Sequence, residues 1–162
     1  MGLPGRDILT ERLDQLIATW TDAAGRRLPV GRGSTYLPEP APPAIYAIGV
    51  DSYAHLAEVD EDLARDAMSE VTRRLDRLVR SSDVLGVLAP GRFGLAAASV
   101  APSTAGVIME RMTGAVAMPL DLGGETVSLS VTIGVAFAFD GATAAELVAA
   151  AEADLDRPTR GR

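Results

Sequence analysis

The sequence predicts one domain of the α/β (α+β) class, with an antiparallel-rich central sheet surrounded by helices and an additional N-terminal helix. A chain of 162 residues fits a single compact domain with a short appendage. Short apolar runs alternate with amphipathic segments in the order strand, helix, hairpin, helix, strand, helix. Since 48% of the residues are hydrophobic and only 4% are aromatic, aliphatic side chains form the core.

Helical spacing of apolar residues predicts the N-terminal helix, which we place at residues 1–24. The stripe on its apolar face consists of Leu9, Leu13, Leu16 and Trp20. So short a stripe packs either on its own domain or on a second copy of the chain. We predict a homodimer, and packing of the helix on its own domain is the alternative. Residues 25–43 are rich in proline and glycine, which predicts a linker.

The domain proper is predicted to span residues 44–162. It begins with the apolar run 44–50, which is typical of a buried strand, and continues with a long amphipathic helix at residues 60–80. Two apolar runs, 84–88 and 93–98, are separated by Pro90 and Gly91, which favour the turn of a hairpin.

The second half of the domain is predicted to contain a helix, a strand and a final helix. These elements are placed at residues 103–117, 126–138 and 143–156. Ser103 and Thr143 are predicted to be N-caps because hydroxyl side chains accept hydrogen bonds from the first free N–H groups of a helix.

Composition excludes several classes of function. A formal net charge of -7 argues against nucleic-acid binding, and the absence of cysteine excludes disulfides and thiolate metal sites. No signal peptide or membrane span is evident, so we expect a cytoplasmic protein without a membrane partner. The acidic run Glu58, Asp60, Glu61 and Asp62 is interpreted as a solvated helix start, and no metal or cofactor is expected.

Four sequence features, read in order, resemble the GGDEF family of diguanylate cyclases. Residues 49–68 resemble the family's DxDxFKxINDxxGHxxGDxxL, residues 80–83 match RxxD, and Thr132 begins a TIGVA that resembles SIGVA. The turn APGRF at residues 89–93, here named the signature turn, occupies the GGDEF position. The resemblance covers residues 44–162 and implies the sheet-and-helix fold of that family.

The resemblance also implies that this chain has lost catalysis, because family cyclases use two carboxylates to hold magnesium on GTP. The two carboxylate positions correspond to Gly49 and Gly91, and Arg92 replaces a family acid. Of the two polar groups that read guanine in the family, one corresponds to Ala57 and the other to Asp66. We therefore predict that the chain is not an enzyme and has no catalytic residues.

The residues that match the family's inhibitory site are Arg80, Asp83 and Arg111. Arginine can donate two hydrogen bonds to the O6 and N7 edge of guanine, and a carboxylate can accept hydrogen bonds from N1 and N2. A purely structural alternative is that RxxD only ends a helix and caps the turn that follows.

The sequence therefore predicts an inactive regulatory module that binds cyclic di-GMP through Arg80, Asp83 and Arg111. The alternative is a protein-interaction or dimerisation module that binds no nucleotide. A protein partner is expected in either case, but the sequence does not identify it.

Overall fold

The computed structural model describes residues 2–25 and 41–157. The helices are α1 (Arg6–Gly25), α2 (Tyr53–Val59), α3 (Glu61–Asp76), α4 (Pro102–Ala117) and α5 (Ala144–Leu155). The strands are β1 (Ala44–Val50), β2 (Val84–Ala89), β3 (Arg92–Ala97), β4 (Leu120–Leu122), β5 (Glu125–Val127) and β6 (Val131–Phe137). Most of the predicted linker, residues 26–40, lies outside the described residues.

The central sheet has four strands in the order β2-β3-β1-β6, and every neighbouring pair is antiparallel. This arrangement confirms the predicted fold class of an antiparallel sheet with surrounding helices. Within residues 2–25 and 41–157, no helix has the combination of length and apolarity needed to cross a membrane.

Strand β1 separates the hydrophobic core into two halves, because alternate side chains of a strand point to opposite faces of the sheet. Tyr46, Ile48 and Val50 contribute to the core half on the side of α3 and α4. Ile45 and Ala47 contribute to the half on the side of α1 and α5. All seven residues of β1 except Gly49 are buried, so the strand is enclosed on both faces.

Helix α1 packs on the sheet of its own chain. Leu9 and Leu13 are fully buried there, Ile17 is almost fully buried, and Leu16 and Trp20 pack at the margin. Gly94 on β3 makes the close approach possible, since a Cβ atom at this position would lie 2.5 Å from Leu9 Cδ2.

Polar contacts join α1 to residues near both ends of the neighbouring helix α5. The Asp14 carboxylate accepts a hydrogen bond of 2.9 Å from the backbone N–H of Ala144, the first residue of α5. Arg6 forms an ion pair with Glu152 in the last part of α5. The structure therefore shows the intrachain arrangement that the sequence left as the alternative to helix pairing in a homodimer.

The predicted helix at residues 60–80 was too long at its C-terminal end. Helix α3 ends at Asp76, and the N–H groups of Leu78 and Val79 bond to carbonyls three residues earlier in the chain. At the other end, the Asp60 side chain accepts hydrogen bonds from the N–H groups of Asp62 and Leu63. Asp60 is thus an N-cap, in keeping with the interpretation of the acidic run as a helix start.

Two other predictions were wrong in detail. The single strand predicted at residues 126–138 is two strands, because β5 pairs with β4 in a separate hairpin and only β6 joins the central sheet. Gly123 and Gly124, both with positive φ, form the turn of that hairpin. Ser103 is not an N-cap, since α4 begins at Pro102 after Ala101, whereas Thr143 does cap α5.

We predict that Leu13→Ala lowers the free energy of unfolding by about 2–5 kcal/mol, because it leaves a cavity at a fully buried position. Denaturant-induced unfolding of the purified protein measures this change. The matched control is Glu11→Ala on the exposed face of the same helix, which should change stability by less than about 0.5 kcal/mol.

Light scattering on the same variants separates the two arrangements of α1. If Leu13→Ala converts a dimer to a monomer while the unfolding midpoint stays constant, α1 stabilises an interface between chains and the intrachain packing is wrong.

Candidate functional site

The residues selected from the sequence lie at two opposite ends of the central sheet. Strand β2 runs from the RxxD turn to the signature turn, and its six residues span about 20 Å. The RxxD turn lies beside the start of β1, since Ala44 pairs with Ala97 at that end. The signature turn lies at the other end, where Gly49 pairs with Arg92.

Arg80, Asp83 and Arg111 meet at one cavity of about 70 Å³. Arg80 and Asp83 come from the turn between α3 and β2, and Arg111 comes from α4. The floor of the cavity is made of buried side chains, which include Tyr46 from β1, Leu95 from β3 and Met112 from α4. The fold thus brings together all three residues that the sequence selected.

Asp83 has a structural role in addition to its place in the cavity. Its Oδ1 atom accepts a hydrogen bond of 3.1 Å from the N–H of Ala98 at the end of β3. Its own N–H donates to the Arg80 carbonyl over 3.0 Å, which closes the turn. The structural interpretation of RxxD is therefore wrong in that RxxD does not end a helix, since α3 ends at Asp76, but one oxygen of Asp83 does have a structural role.

The two arginines are available at the rim. Both side chains are exposed, and within the described part of the chain neither forms an ion pair or a hydrogen bond. Arg80 in particular does not pair with Asp83, although the two residues line the same cavity. Two guanidinium groups from different elements therefore border one cavity with their donors unused.

Sequence reasoning missed Tyr46. Its side chain is fully buried, and its hydroxyl has no hydrogen-bond partner among the residues that the structure describes. Burial, and then the negative charge of Asp83, raises the pKa of Tyr46 to about 12, so the hydroxyl keeps its proton at neutral pH. The available signal was a tyrosine in an otherwise aliphatic strand, AIYAIGV.

The signature turn is a tight hairpin connection formed by Pro90 and Gly91. Gly91 has a φ of 73°, and a Cβ atom there would lie 2.5 Å from the ring of Tyr53. Its carbonyl accepts a hydrogen bond of 2.9 Å from the N–H of Val50. A side chain at this position would require both the turn and the Tyr53 ring to move.

Asp51 is the carboxylate closest in sequence to Gly49, where the family carboxylate is missing, and both of its oxygens accept hydrogen bonds. Oδ1 accepts from the Thr132 hydroxyl over 2.7 Å, and Oδ2 accepts from the Ser130 hydroxyl over 2.8 Å. Across residues 2–25 and 41–157, no cluster of three or more histidine, aspartate or glutamate side chains could hold a metal ion.

Arg92, at the fourth position of the signature turn, forms ion pairs with Glu152 of α5 and with Asp156, the residue that follows α5. Its guanidinium lies 3.3 Å from Glu152 Oε2 and 2.9 Å from Asp156 Oδ1. Glu152 also accepts the ion pair from Arg6 of α1. The Arg6 hydrogen bond, the Arg6 charge and the Arg92 hydrogen bond hold the pKa of Glu152 below its ordinary value, although partial burial opposes them.

A larger open groove of about 710 Å³ lies between α3 and the β2–β3 hairpin, next to the signature turn. Ala57 lines this groove, but Asp66 does not and instead lines a separate depression with Arg73. Two charged residues of α3, Glu61 and Arg65, line the groove together with Ala57. The two positions expected to read guanine therefore line different depressions.

The family model described as "Diguanylate cyclase, GGDEF domain" matches residues 61–160. No curated protein matches the chain.

Solved structures of GGDEF proteins have the same fold. A sensory box/GGDEF family protein from Caulobacter crescentus is 24% identical with a TM-score of 0.77, over 96% of this chain and 92% of that chain. The GGDEF domain of DgcB from Caulobacter crescentus, in complex with c-di-GMP, is 14% identical with a TM-score of 0.79. The match covers 94% of this chain and 83% of that chain. Diguanylate cyclase SiaD from Pseudomonas aeruginosa, in complex with its activator SiaC, is 22% identical with a TM-score of 0.75. The match covers 94% of this chain and 54% of that chain.

We predict that Glu152→Gln lowers the free energy of unfolding at pH 7 by about 1–3 kcal/mol, because two arginines lose a charged acceptor. The pKa of Glu152 is lower in the folded protein, so the ionised carboxylate stabilises the fold at pH values above its unfolded pKa of about 4.3. This contribution is lost as the pH falls through the folded pKa.

The difference between the wild type and Glu152→Gln should therefore shrink below about pH 4, as measured by urea unfolding across pH. Glu11→Gln, on the exposed face of α1, is the control and should show no such difference. A Glu152→Gln effect that is constant from pH 3 to pH 7 would mean that packing, and not charge, is responsible.

Proposed function

The chain belongs to the diguanylate cyclase GGDEF domain family, and we propose that it is a catalytically inactive member that binds cyclic di-GMP at the cavity bordered by Arg80, Asp83 and Arg111. The observation that carries the proposal is the convergence of these three side chains at one cavity with both arginines unpaired in the described part of the chain. Binding at this cavity does not require the signature turn, which lies at the opposite end of β2.

The proposed inactivity is supported by the chemistry at the signature turn. Glycine at positions 49 and 91 supplies no side-chain oxygen for magnesium, and Asp51 already accepts hydrogen bonds at both oxygens. The positive charge of Arg92 would repel a metal ion at this turn, and Glu152 and Asp156 hold the Arg92 side chain in place. Attack of a hydroxyl on the triphosphate of GTP depends on electrostatic stabilisation of the triphosphate. This end of the sheet does not offer that stabilisation.

The proposed ligand is supported by the donor and acceptor pattern of the cavity. Arg80 and Arg111 offer planar donor groups that suit the O6 and N7 acceptors of guanine, and their positive charges suit a phosphodiester. Asp83 Oδ1 is already used by Ala98, which leaves Oδ2 to accept from the N1 and N2 donors of a base. A solved relative, the GGDEF domain of DgcB, binds c-di-GMP, which is consistent with this choice of ligand.

The second candidate function is a protein-interaction module, and exposed apolar side chains near the cavity favour it. Leu78, which lines the cavity, is 40% exposed, and Val107 on α4 is 51% exposed. Val107 lies one helical turn from Arg111 and therefore on the same face of α4. A partner protein or a second copy of this chain could cover this surface with or without nucleotide, and SiaD shows that a GGDEF relative can bind an activator protein.

We predict that the purified protein forms no cyclic di-GMP from GTP with either magnesium or manganese, because the metal-holding carboxylates are missing. Chromatographic separation of the nucleotides after prolonged incubation measures this, with an active family cyclase as the positive control. The proposal of inactivity fails if product accumulates in proportion to protein and Asp51→Asn abolishes it.

We predict that Arg80→Ala weakens cyclic di-GMP binding, since a bidentate arginine–guanine contact contributes about 1–3 kcal/mol. This free energy corresponds to about a ten- to a hundredfold rise in Kd, measured by isothermal titration calorimetry. Arg111→Ala should have a similar effect because Arg111 borders the same cavity.

Arg77→Ala is the matched control, because Arg77 is exposed on the same segment and does not line the cavity. Equal losses from Arg77→Ala and Arg80→Ala would indicate general electrostatic attraction. Absence of saturable binding to the wild type at submillimolar ligand would favour the protein-interaction module.

A further inference from the structure

Strand β6 forms one edge of the central sheet, and its outer side has no neighbouring strand among the residues that the structure describes. The bonds at its two ends show which backbone groups face outward. The N–H of Ala138 donates to the Pro43 carbonyl, and the N–H of Asp51 donates to the Ser130 carbonyl. Because backbone groups alternate along an antiparallel strand, the even-numbered residues of β6 bond to β1 and the odd-numbered residues point away from it.

One of the outward-facing groups of β6 has a side-chain partner. The N–H of Val135 donates a hydrogen bond of 3.0 Å to Oδ2 of Asp154, near the end of α5, and this contact is partly buried. The other carboxylate oxygen, Oδ1, lies 3.7 Å from a guanidinium nitrogen of Arg157. Asp154 therefore reaches from the helix to the outer side of β6, where it satisfies a donor that no strand pairs in the described part of the chain.

The same edge carries apolar side chains that are only partly covered. Ile133, Val135 and Phe137 are partly buried and pack against the core half on the side of α3 and α4. All three are odd-numbered, so their N–H and C=O groups also face outward. A sheet edge that combines outward backbone groups with apolar side chains is able to pair with a further strand.

A second copy of β6 fits this edge, because an antiparallel strand is complementary to itself across a twofold axis. With the axis at Gly134, Val131 lies opposite Phe137 of the second copy, and Ile133 lies opposite Val135 of the second copy. Only outward-facing residues meet in this register, so each pair would exchange hydrogen bonds. The partly covered side chains of both copies would then lie on the same face of the joined sheet.

Asp154 stands at the centre of that pairing. Its carboxylate occupies the position where the Ile133 carbonyl of the second copy would accept from the Val135 N–H. Two copies would also bring two Asp154 carboxylates close to the axis, where like charges repel and lose their contact with water.

We propose that Asp154 closes the β6 edge against strand pairing with a second copy of this chain. The closure consists of one hydrogen bond, which uses the central donor of the edge, and one negative charge, which opposes a symmetric approach. This inference goes beyond the proposed function, because it involves neither the cavity at the RxxD turn nor a nucleotide.

The test is Asp154→Ala, with the molar mass from light scattering measured at equal protein concentrations. We expect the variant to have twice the molar mass of the wild type, because the outward groups of β6 become free to pair. Asp156→Ala is the matched control, since it removes the same charge two residues later and Asp156 contacts Arg92 instead of β6. A folded Asp154→Ala protein with the wild-type molar mass would overturn the proposal.

Hydrogen exchange of the wild type tests the proposal without any variant. The Val135 amide should exchange slowly because Asp154 holds it, whereas the Ile133 and Phe137 amides should exchange rapidly although they belong to the same strand. Exchange of Val135 as fast as that of Ile133 would contradict the proposal. In Asp154→Ala, all three amides should be protected by the second copy.

A double variant separates edge pairing from aggregation of a destabilised protein. Ile133→Pro removes an outward N–H and no hydrogen bond to β1, since proline is tolerated on edge strands. Asp154→Ala combined with Ile133→Pro should therefore return to the molar mass of the wild type. If the double variant keeps the doubled mass, the copies join elsewhere and the proposal is wrong.

Discussion

Strand β1 is hydrogen-bonded along both edges and enclosed on both faces, and the positions of the other elements follow from this arrangement. Its odd-numbered and even-numbered residues face different core halves, so each half needs its own helices to exclude water. Helices α3 and α4 cover one half, and α1 and α5 cover the other. Strands β3 and β6 are fixed in register against β1, which places the signature turn at one end and the RxxD turn at the other.

Separation of the two ends matters for function because changes at one end need not disturb the other. At the signature turn, Arg92 forms ion pairs with Glu152 and Asp156. At the far end, Arg80 and Arg111 are unpaired within the described residues. The network also ties α1 to the signature turn, since Glu152 accepts from both Arg6 and Arg92. An N-terminal helix that the sequence treats as an appendage is therefore part of the domain's electrostatic framework.

The sequence predicted those features that depend on local pattern. Strand β1 and the Pro90–Gly91 hairpin were placed correctly, because an apolar run and a turn dipeptide are local signals. The partner of α1 was left open, since periodicity identifies the apolar face of a helix but not the surface that covers it. The single strand predicted at residues 126–138 was wrong because the glycine pair at 123–124, which forms the turn of the β4–β5 hairpin, was not recognised. Tyr46 was missed because the sequence does not reveal whether a buried hydroxyl has a partner.

The first residues of the described chain have a consequence for how molecules of this protein meet one another. Strand β2 is at the edge of the four-stranded sheet, and the N–H of Val87 on this strand donates a hydrogen bond of 2.9 Å to the Pro4 carbonyl. An edge strand with free N–H and C=O groups is a template for pairing with a strand from another molecule. Residues 2–5 occupy part of that template with a segment whose proline has no N–H of its own to continue a ladder. Residues 2–5 thus cover part of the β2 edge that a strand from another molecule would need for pairing.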